Sequence, residues 1–224
     1  MPSLLPIFPL NTVVFPGVTM PMHIFEERYR AMVRYLLERE DPTERLFGIV
    51  AIREGYEVGS HEARSMYRTG CVVQLTDVDR YDDGRFDIEV VGRHRMRVEG
   101  LDTSGPFVVA EVVDLPDTDD RTDELLDSAS RALAAFEDYR NLLGELRGGE
   151  VLVGTMPRDP ALLSYSLAAT ALLSLRERQS LLEAATTQDR LVMLRHLLRQ
   201  EIRAMHAVPS LPATEVARTS WSPN

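Results

Sequence analysis

The sequence predicts an α+β protein in which a β-rich pseudo-barrel, an antiparallel and partly closed sheet, precedes a bundle of helices. Before residue 117, short apolar or alternating segments are separated by Gly, Pro, Asn and Asp, which is typical of strands and turns. After it, apolar residues recur at helical spacing. We therefore expect a pseudo-barrel over residues 1–117, a helical bundle over 118–207 and a disordered tail, rich in Ser, Thr and Pro, over 208–224.

Three short strands and one helix are predicted at the start of the chain. Leu4–Leu10 contains two prolines, which suits a strand at the edge of a sheet. Val13–Phe15 is a short strand that ends at the Pro16-Gly17 turn, and Val18–Ile24 is the next strand. Phe25–Arg39 then changes to helical spacing with one apolar stripe, which predicts a helix.

Five further strands complete the predicted barrel: Leu46–Ile52, Cys71–Val78, Phe86–Val91, Arg93–Leu101 and Phe107–Leu115. The segment Gly55–Thr69 is polar and is predicted to be a surface loop. Asp82-Asp83-Gly84 predicts a hairpin turn, because glycine accepts the positive φ that such turns need. A barrel is the economical arrangement, since closing a sheet removes its exposed edges.

The second half of the chain contains the sequence signals of helix ends. The long apolar stripes predict helices over Glu124–Leu146 and Thr187–Ala207. Asp159 followed by Pro160 is a typical helix start, with the aspartate as N-cap. Ser174-Leu175-Arg176-Glu177 has the spacing of a capping box and predicts another start.

Charge and composition limit the possible functions. The net charge is −10, and most of it comes from residues 111–150, which hold 12 acidic and 4 basic residues, so nucleic acid is an unfavourable partner. No apolar run approaches the roughly 20 residues that span a bilayer, and the start lacks a basic signal-peptide region. The single cysteine, Cys71, allows no intramolecular disulfide, which favours the cytoplasm.

All 25 basic residues are arginine, so the chain contains no lysine. A Walker A phosphate loop and a Ser–Lys dyad both need lysine and are therefore excluded. The five histidines are not at metal-ligand spacing, and Cys71, within an apolar predicted strand, is expected to be a buried structural thiol. We expect no catalytic residues, no metal and no cofactor.

Several motifs together resemble the amino-terminal, substrate-binding domain of the Lon proteases. They are Leu5–Leu10, Val13–Gly17 and Met20–Glu26, then Tyr56–Gly59 and Gly70–Val73, then Val90–Val98, and finally Ser174–Arg190. The resemblance covers about residues 4–206. It implies a PUA-like pseudo-barrel followed by helices, in a non-catalytic module that binds unfolded or tagged proteins. Lon proteases continue into ATPase and protease parts, so we expect a stand-alone member, with a separate Lon-type protease as a further partner.

Five apolar side chains near the start form the candidate peptide-binding site: Phe15, Met20, Met22, Phe25 and Tyr29. Flexible methionine and aromatic side chains suit a surface that accepts varied apolar peptides. The alternative is that they only pack the first helix against the barrel.

A second candidate site is the run of Arg93, Arg95 and Arg97, which alternation places on one face of a strand. Three arginines in a row would suit phosphates, and PUA-like folds include RNA-binding modules. The alternative is that these arginines pair with acidic neighbours in the sheet. The carboxylates around the hairpin, from Asp77 to Glu89, are expected to lie on a solvated face.

Overall fold

The computed structural model describes residues 3–53, 66–117, 121–149, 151–152 and 154–207. The chain divides into two compact units, Met1–Pro116 and Asp117–Asn224. The described part of unit 1 is dominated by a six-stranded sheet and that of unit 2 by helices, which confirms the α+β class. The predicted tail over 208–224 and most of the predicted loop Gly55–Thr69 lie outside the described residues, although residues 66–69 belong to a strand.

Six strands are described in unit 1: β1 (Ser3–Leu10), β2 (Thr19–Ile24), β3 (Leu46–Ile52), β4 (Met66–Arg80), β5 (Phe86–Asp102) and β6 (Val109–Leu115). Between β2 and β3 lie helix α1 (Glu27–Leu37) and a short 3-10 helix (Pro42–Glu44). The two strands predicted over Phe86–Val91 and Arg93–Leu101 are therefore one continuous strand, β5.

Five of the strands close into a ring. β5 pairs with β4, β4 with β3, β3 with β1, β1 with β6, and β6 again with β5. The expected antiparallel arrangement is wrong at one pair, because β1 and β3 are parallel. Parallel neighbours need a long crossover connection, and the chain between them, which includes β2 and α1, supplies it.

The ring leaves a gap at one end. β6 pairs with β5 from Arg95 onward and with β1 only over Ser3–Pro6, so it bridges these two strands at one end alone. At the other end the start of β5 pairs with β2, and the last residues of β1 pair with β3. Among the described residues β2 pairs with no strand except β5, so a gap remains between β2 and the end of β1.

Helix α1 covers part of this gap. Its apolar stripe, including Tyr29, Met32 and Leu36, is buried in the same core cluster as Phe8 and Phe47. The rings of Phe8 and Tyr29 stack with centroids 3.9 Å apart. The helical periodicity predicted for this segment is therefore correct, with ends two residues inside the predicted ones.

The segment Val13–Phe15 is not a strand, contrary to the sequence-based prediction. It is too short for a ladder of its own and is buried, and it leads into a turn in which Gly17 adopts a φ of 77°. The Gly17 N–H donates to the carbonyl of Gly92 over 2.9 Å. A side chain on Gly92 would collide with the Phe15 carbonyl, so this crossing requires glycine.

Unit 2 contains four described helices: α2 (Asp123–Arg147), α3 (Pro160–Thr170), α4 (Leu175–Glu183) and α5 (Thr187–Ala207). Asp159 caps α3 by accepting from two backbone N–H groups, and the capping box of Ser174 and Glu177 opens α4, as predicted. No helix in the described ranges combines the length and hydropathy needed to cross a membrane.

A fully buried arginine lies at the centre of unit 2. Arg190 of α5 is 0% exposed, and its guanidinium stands 4.0 Å from the centroid of the Tyr165 ring. It donates to the Leu181 carbonyl (3.1 Å), to Ser164 Oγ (2.9 Å) and to Asp117 Oδ1 (2.9 Å). Each acceptor comes from a different segment, so this one side chain ties the start of unit 2 to its helices.

Candidate functional site

A cavity of about 480 Å³ lies at the gap in unit 1. The end of β1, most of β2 and the start of α1 line it, together with the last residue of β3. We call it the groove; its lining residues are Phe8, Pro9, Leu10, Asn11, Met20, Pro21, Met22, His23, Phe25, Glu26, Arg28, Tyr29 and Ile52. Most of these side chains are apolar, so the groove suits an apolar ligand.

Four of the five predicted peptide-binding residues line the groove. Phe25 is 61% exposed, Met20 and Met22 are half-buried, and Tyr29 is buried. Phe15 is 0% exposed and lies outside the lining, because it is buried where the chain crosses Gly92. We therefore remove Phe15 from the candidate site.

The sequence predicted four of the thirteen groove residues and none from the wall that β1 and β3 form. Phe8, Leu10 and Ile52 come from the paired ends of β1 and β3, and only the parallel pairing of these strands brings them beside β2. Their residue types are those of any buried strand. The local signal is Pro9, one of the two prolines that predicted an edge strand, and Pro9 pairs with β3 on one side but lies beyond the part of β1 that pairs with β6.

His23, one of the groove residues, belongs to a hydrogen-bonded array with Asp87 and Tyr81. His23 Nδ1 lies 2.5 Å from Asp87 Oδ1, and the Tyr81 hydroxyl donates to Asp87 Oδ2 over 2.5 Å. The bonds from Tyr81 and His23 lower the pKa of Asp87, and the same contact with Asp87 raises the pKa of Tyr81. These exposed side chains fix the position of His23 at the groove.

The three arginines do not form one basic surface. A register shift in the pairing of β4 with β5 leaves Arg93 as an extra residue, a β-bulge, which breaks the alternation that the prediction used. Arg95 is only 4% exposed. Arg93 Nε donates to Gln74 Oε1 over 2.8 Å, and Arg97 Nε donates to Glu99 Oε1 over 2.7 Å. Two of the arginines are thus already engaged within the sheet, and the third is buried.

The other residues considered as candidates from the sequence lie in environments typical of structural side chains. Cys71 is 0% exposed, and burial raises the pKa of its thiol to about 12, which opposes nucleophilic reactivity. The hairpin carboxylates are exposed or half-buried, as expected. Within the described ranges, no three His, Cys, Asp or Glu side chains lie together as a metal site would require. His61 lies outside the described residues.

The fold defines the class first: an α+β protein that joins a closed sheet, with one flanking strand, to a set of helices. Solved structures that share it include the following two. The Lon N-terminal domain protein from Xanthomonas campestris is 28% identical, with a TM-score of 0.60, and the match covers 86% of this chain and 96% of that one. The N-terminal domain of the Mycobacterium avium complex Lon protease has the same TM-score of 0.60 at 19% identity, which shows the fold alone.

The sequence comparisons then give the family. The model of the substrate-binding domain of ATP-dependent protease La (LON) matches residues 4–200, so the chain belongs to this family. Lon protease 2 of Herpetosiphon aurantiacus is 25% identical over 201 residues, which cover 88% of this chain and 24% of that protein. The Lon protease of Escherichia coli K12 is 26% identical and is matched over 25% of its length. The chain thus spans about a quarter of the length of these curated relatives.

Proposed function

We propose that the chain binds segments of non-native proteins through the groove and performs no reaction of its own. The observation that carries this proposal is the cluster of Phe25, Met20 and Met22 around a cavity of about 480 Å³, with Phe25 61% exposed. Thioether side chains adapt their shape to different apolar ligands, and an exposed aromatic ring supplies a large contact area.

The family supports the same function, since its description is that of a substrate-binding domain. Unfolded or tagged proteins are the partners that we propose for this chain, and a Lon-type protease is a second partner that the likeness to Lon suggests. The arginine run gives no comparable support for RNA, because Arg95 is buried and Arg93 and Arg97 are engaged by Gln74 and Glu99.

The test is a titration of a fluorescent, reduced and alkylated protein that cannot refold, followed by anisotropy. Phe25→Ala removes the exposed ring and is expected to weaken binding by about tenfold, as loss of a central aromatic contact does. Leu162→Ala on α3 is the matched control, since Leu162 is 45% exposed and lies in unit 2. It should change binding less than about twofold. Thermal unfolding should show both variants as stable as the parent, because both side chains are exposed.

Salt dependence separates this proposal from RNA binding. Apolar contacts persist at high salt, whereas contacts with phosphates weaken steeply as counterions compete. We expect capture of the unfolded protein to be nearly equal at low and high salt. Salt-labile binding of RNA that disappears in an Arg93→Ala, Arg97→Ala double variant, with no capture of the unfolded protein, would contradict the proposal.

A further inference from the structure

The backbone edge of β2 that faces away from β5 is unpaired by any strand of the described structure. Four consecutive residues of β2, from Met20 to His23, line the groove. Side chains alternate between the two faces of a strand, so a cavity over one face would touch only every second residue. The groove therefore runs along the edge of the strand.

Two observations show which backbone groups face this edge. Pro21 stands opposite Glu89 of β5 and has no N–H, so these two residues cannot exchange hydrogen bonds. At the start of the strand, the Gly92 N–H donates to the Val18 carbonyl over 2.9 Å. The backbone of the even-numbered residues therefore faces β5. Thr19, Pro21 and His23 direct three carbonyls and two N–H groups toward the open edge.

We infer that the groove takes its ligand by strand addition, with an extended segment pairing along the free edge of β2 while its alternate side chains enter beside Met20, Met22 and Phe25. This inference rests on the proposed function and specifies its mode. Main-chain hydrogen bonds supply affinity that does not depend on sequence, and the apolar cavity selects the alternate side chains.

The charges on the outer face of β2, β4 and β5 indicate which side chains the ligand should carry on that face. Glu89 lies opposite Pro21, and Asp77 of β4 lies opposite Glu89, so two exposed carboxylates adjoin each other. Like charges in directly opposite positions are unfavourable, and a cation relieves them. An added strand would lie about 10 Å from β5, a distance that arginine or lysine covers by extending over the short side chain of Pro21. The occupant is an extended segment of an unfolded chain that alternates apolar with basic residues.

Pro21 also limits the pairing. It removes the central donor from the edge, and proline on an edge strand discourages open-ended association of sheets. The N–H groups of a ligand can donate to three carbonyls of β2, but its carbonyls can accept only from the N–H groups of Thr19 and His23. The site thus suits a short segment better than a second copy of the sheet.

The test compares three eight-residue peptides with blocked ends on the full chain. The first alternates valine with arginine, the second has glutamate in place of arginine, and the third is the first with N-methyl groups on alternate residues. N-methylation removes the donors of one edge and keeps the apolar side chains. We expect the arginine peptide to bind. The methylated peptide should bind more than about tenfold more weakly, because several hydrogen bonds are lost. The glutamate peptide should bind more weakly than the arginine peptide at low salt.

Two variants of one residue test the protein side. His23→Ala and His23→Pro both lose the side-chain contact with Asp87, but only the proline also loses the N–H on the open edge. The proline variant should bind the first peptide about fivefold more weakly than the alanine variant. Circular dichroism should show that both keep the sheet, because this N–H faces away from β5. If the proline variant does not fold, the methylated peptide on the parent chain still decides.

The outcomes separate the mode from the function. Equal binding of the methylated and unmethylated peptides, still weakened by Phe25→Ala, would overturn strand addition and leave the groove as the binding site. Equal binding of the glutamate and arginine peptides at low salt would overturn the basic preference. Peptide binding that no groove variant changes would overturn both the mode and the proposed function.

Discussion

The two units contain opposite exceptions to the rule that apolar side chains are buried and charged ones are exposed. Unit 1 leaves the ring of Phe25 61% exposed beside a gap in its sheet, whereas unit 2 encloses the guanidinium of Arg190 completely. A buried charge is tolerable only when its hydrogen bonds are satisfied, and Arg190 has three acceptors. The exposed Phe25 ring stacks loosely with the ring of His23, with their centroids 6.2 Å apart. The buried exception thus stabilises the fold, while the exposed one lies at the groove that we propose as the binding site.

The largest expected effect is on unit 2. Arg190→Ala removes the guanidinium that donates to the Ser164 hydroxyl, the Leu181 carbonyl and Asp117 Oδ1, while the Tyr165 hydroxyl still donates to Asp117 Oδ2. We expect the free energy of unfolding to fall by about 3 kcal/mol, as when one partner of a buried ion pair is removed. Urea unfolding followed by circular dichroism at the helical band measures it.

Arg199→Ala on the exposed side of the same helix is the control and should change the unfolding free energy by less than about 0.5 kcal/mol. Equal losses in the two variants would show that the central position of Arg190 is unimportant. The conclusion that this buried arginine stabilises unit 2 would then be wrong.

The next effect is on the gap in unit 1. Gly92→Ala places a methyl group against the Phe15 carbonyl, where the chain turns toward β2. Overpacking of this kind costs about 2 kcal/mol, and the displaced turn should also weaken peptide binding, because it precedes the groove strand. Thermal unfolding and the peptide titration measure the two effects.

The matched control for this variant is Gly100→Ala in the same strand, where the added methyl group meets its first neighbour, Glu111, at 3.8 Å. This ordinary contact should leave both stability and binding close to those of the parent. A Gly92 variant as stable as the Gly100 variant would show that the turn moves freely, so that the groove does not depend on it.

The smallest effect is a pH dependence in unit 2. Burial, and then the nearby Glu177, raise the pKa of Glu201 above its ordinary value of 4.5. A carboxyl whose pKa is higher in the folded state favours folding below pH 4.5, and this contribution is lost as the pH rises through the folded-state value. Glu201→Gln should therefore be more stable than the parent at pH 7, and the gain should disappear near pH 4.

Urea unfolding at both pH values checks this expectation. Glu145→Gln on the exposed side of α2 removes the same charge and controls for the change in net charge. A gain for the Glu201 variant that is the same at pH 4 and pH 7 would show that it does not arise from titration of this carboxyl.

Local chemistry explains which parts of the fold could be predicted. The caps at Asp159 and Ser174, and the hairpin glycine Gly84, act within three or four residues, and the structure contains them as predicted. The α5 boundaries of Thr187–Ala207 follow from apolar spacing alone. Such features need no knowledge of distant residues, which is why the sequence is sufficient for them.

The features that the sequence did not reveal at the arginine strand, in unit 2 and at the groove involve distant partners. The bulge at Arg93 depends on how β5 pairs with β4, and the residue types of β5 do not predict it. The contact of Arg190 with Asp117 spans 73 positions, and periodicity alone classes an arginine as a surface residue. For the groove, Met20, Met22 and Phe25 could be suspected from their chemistry, but the opposite wall comes from a parallel strand pair that the sequence does not indicate.

The burial of Cys71 allows transient opening of unit 1 to be measured without an added label. It is the only cysteine, and it pairs with Ile49 of β3 and with Arg95 of β5 in the middle of the ring. Its side chain is buried in the core cluster that includes the apolar stripe of α1, so a thiol reagent can reach the sulfur only when this packing opens, and the alkylation rate under native conditions counts such openings. Because no other sulfhydryl reacts, one mass shift per molecule marks one molecule that has opened at least once.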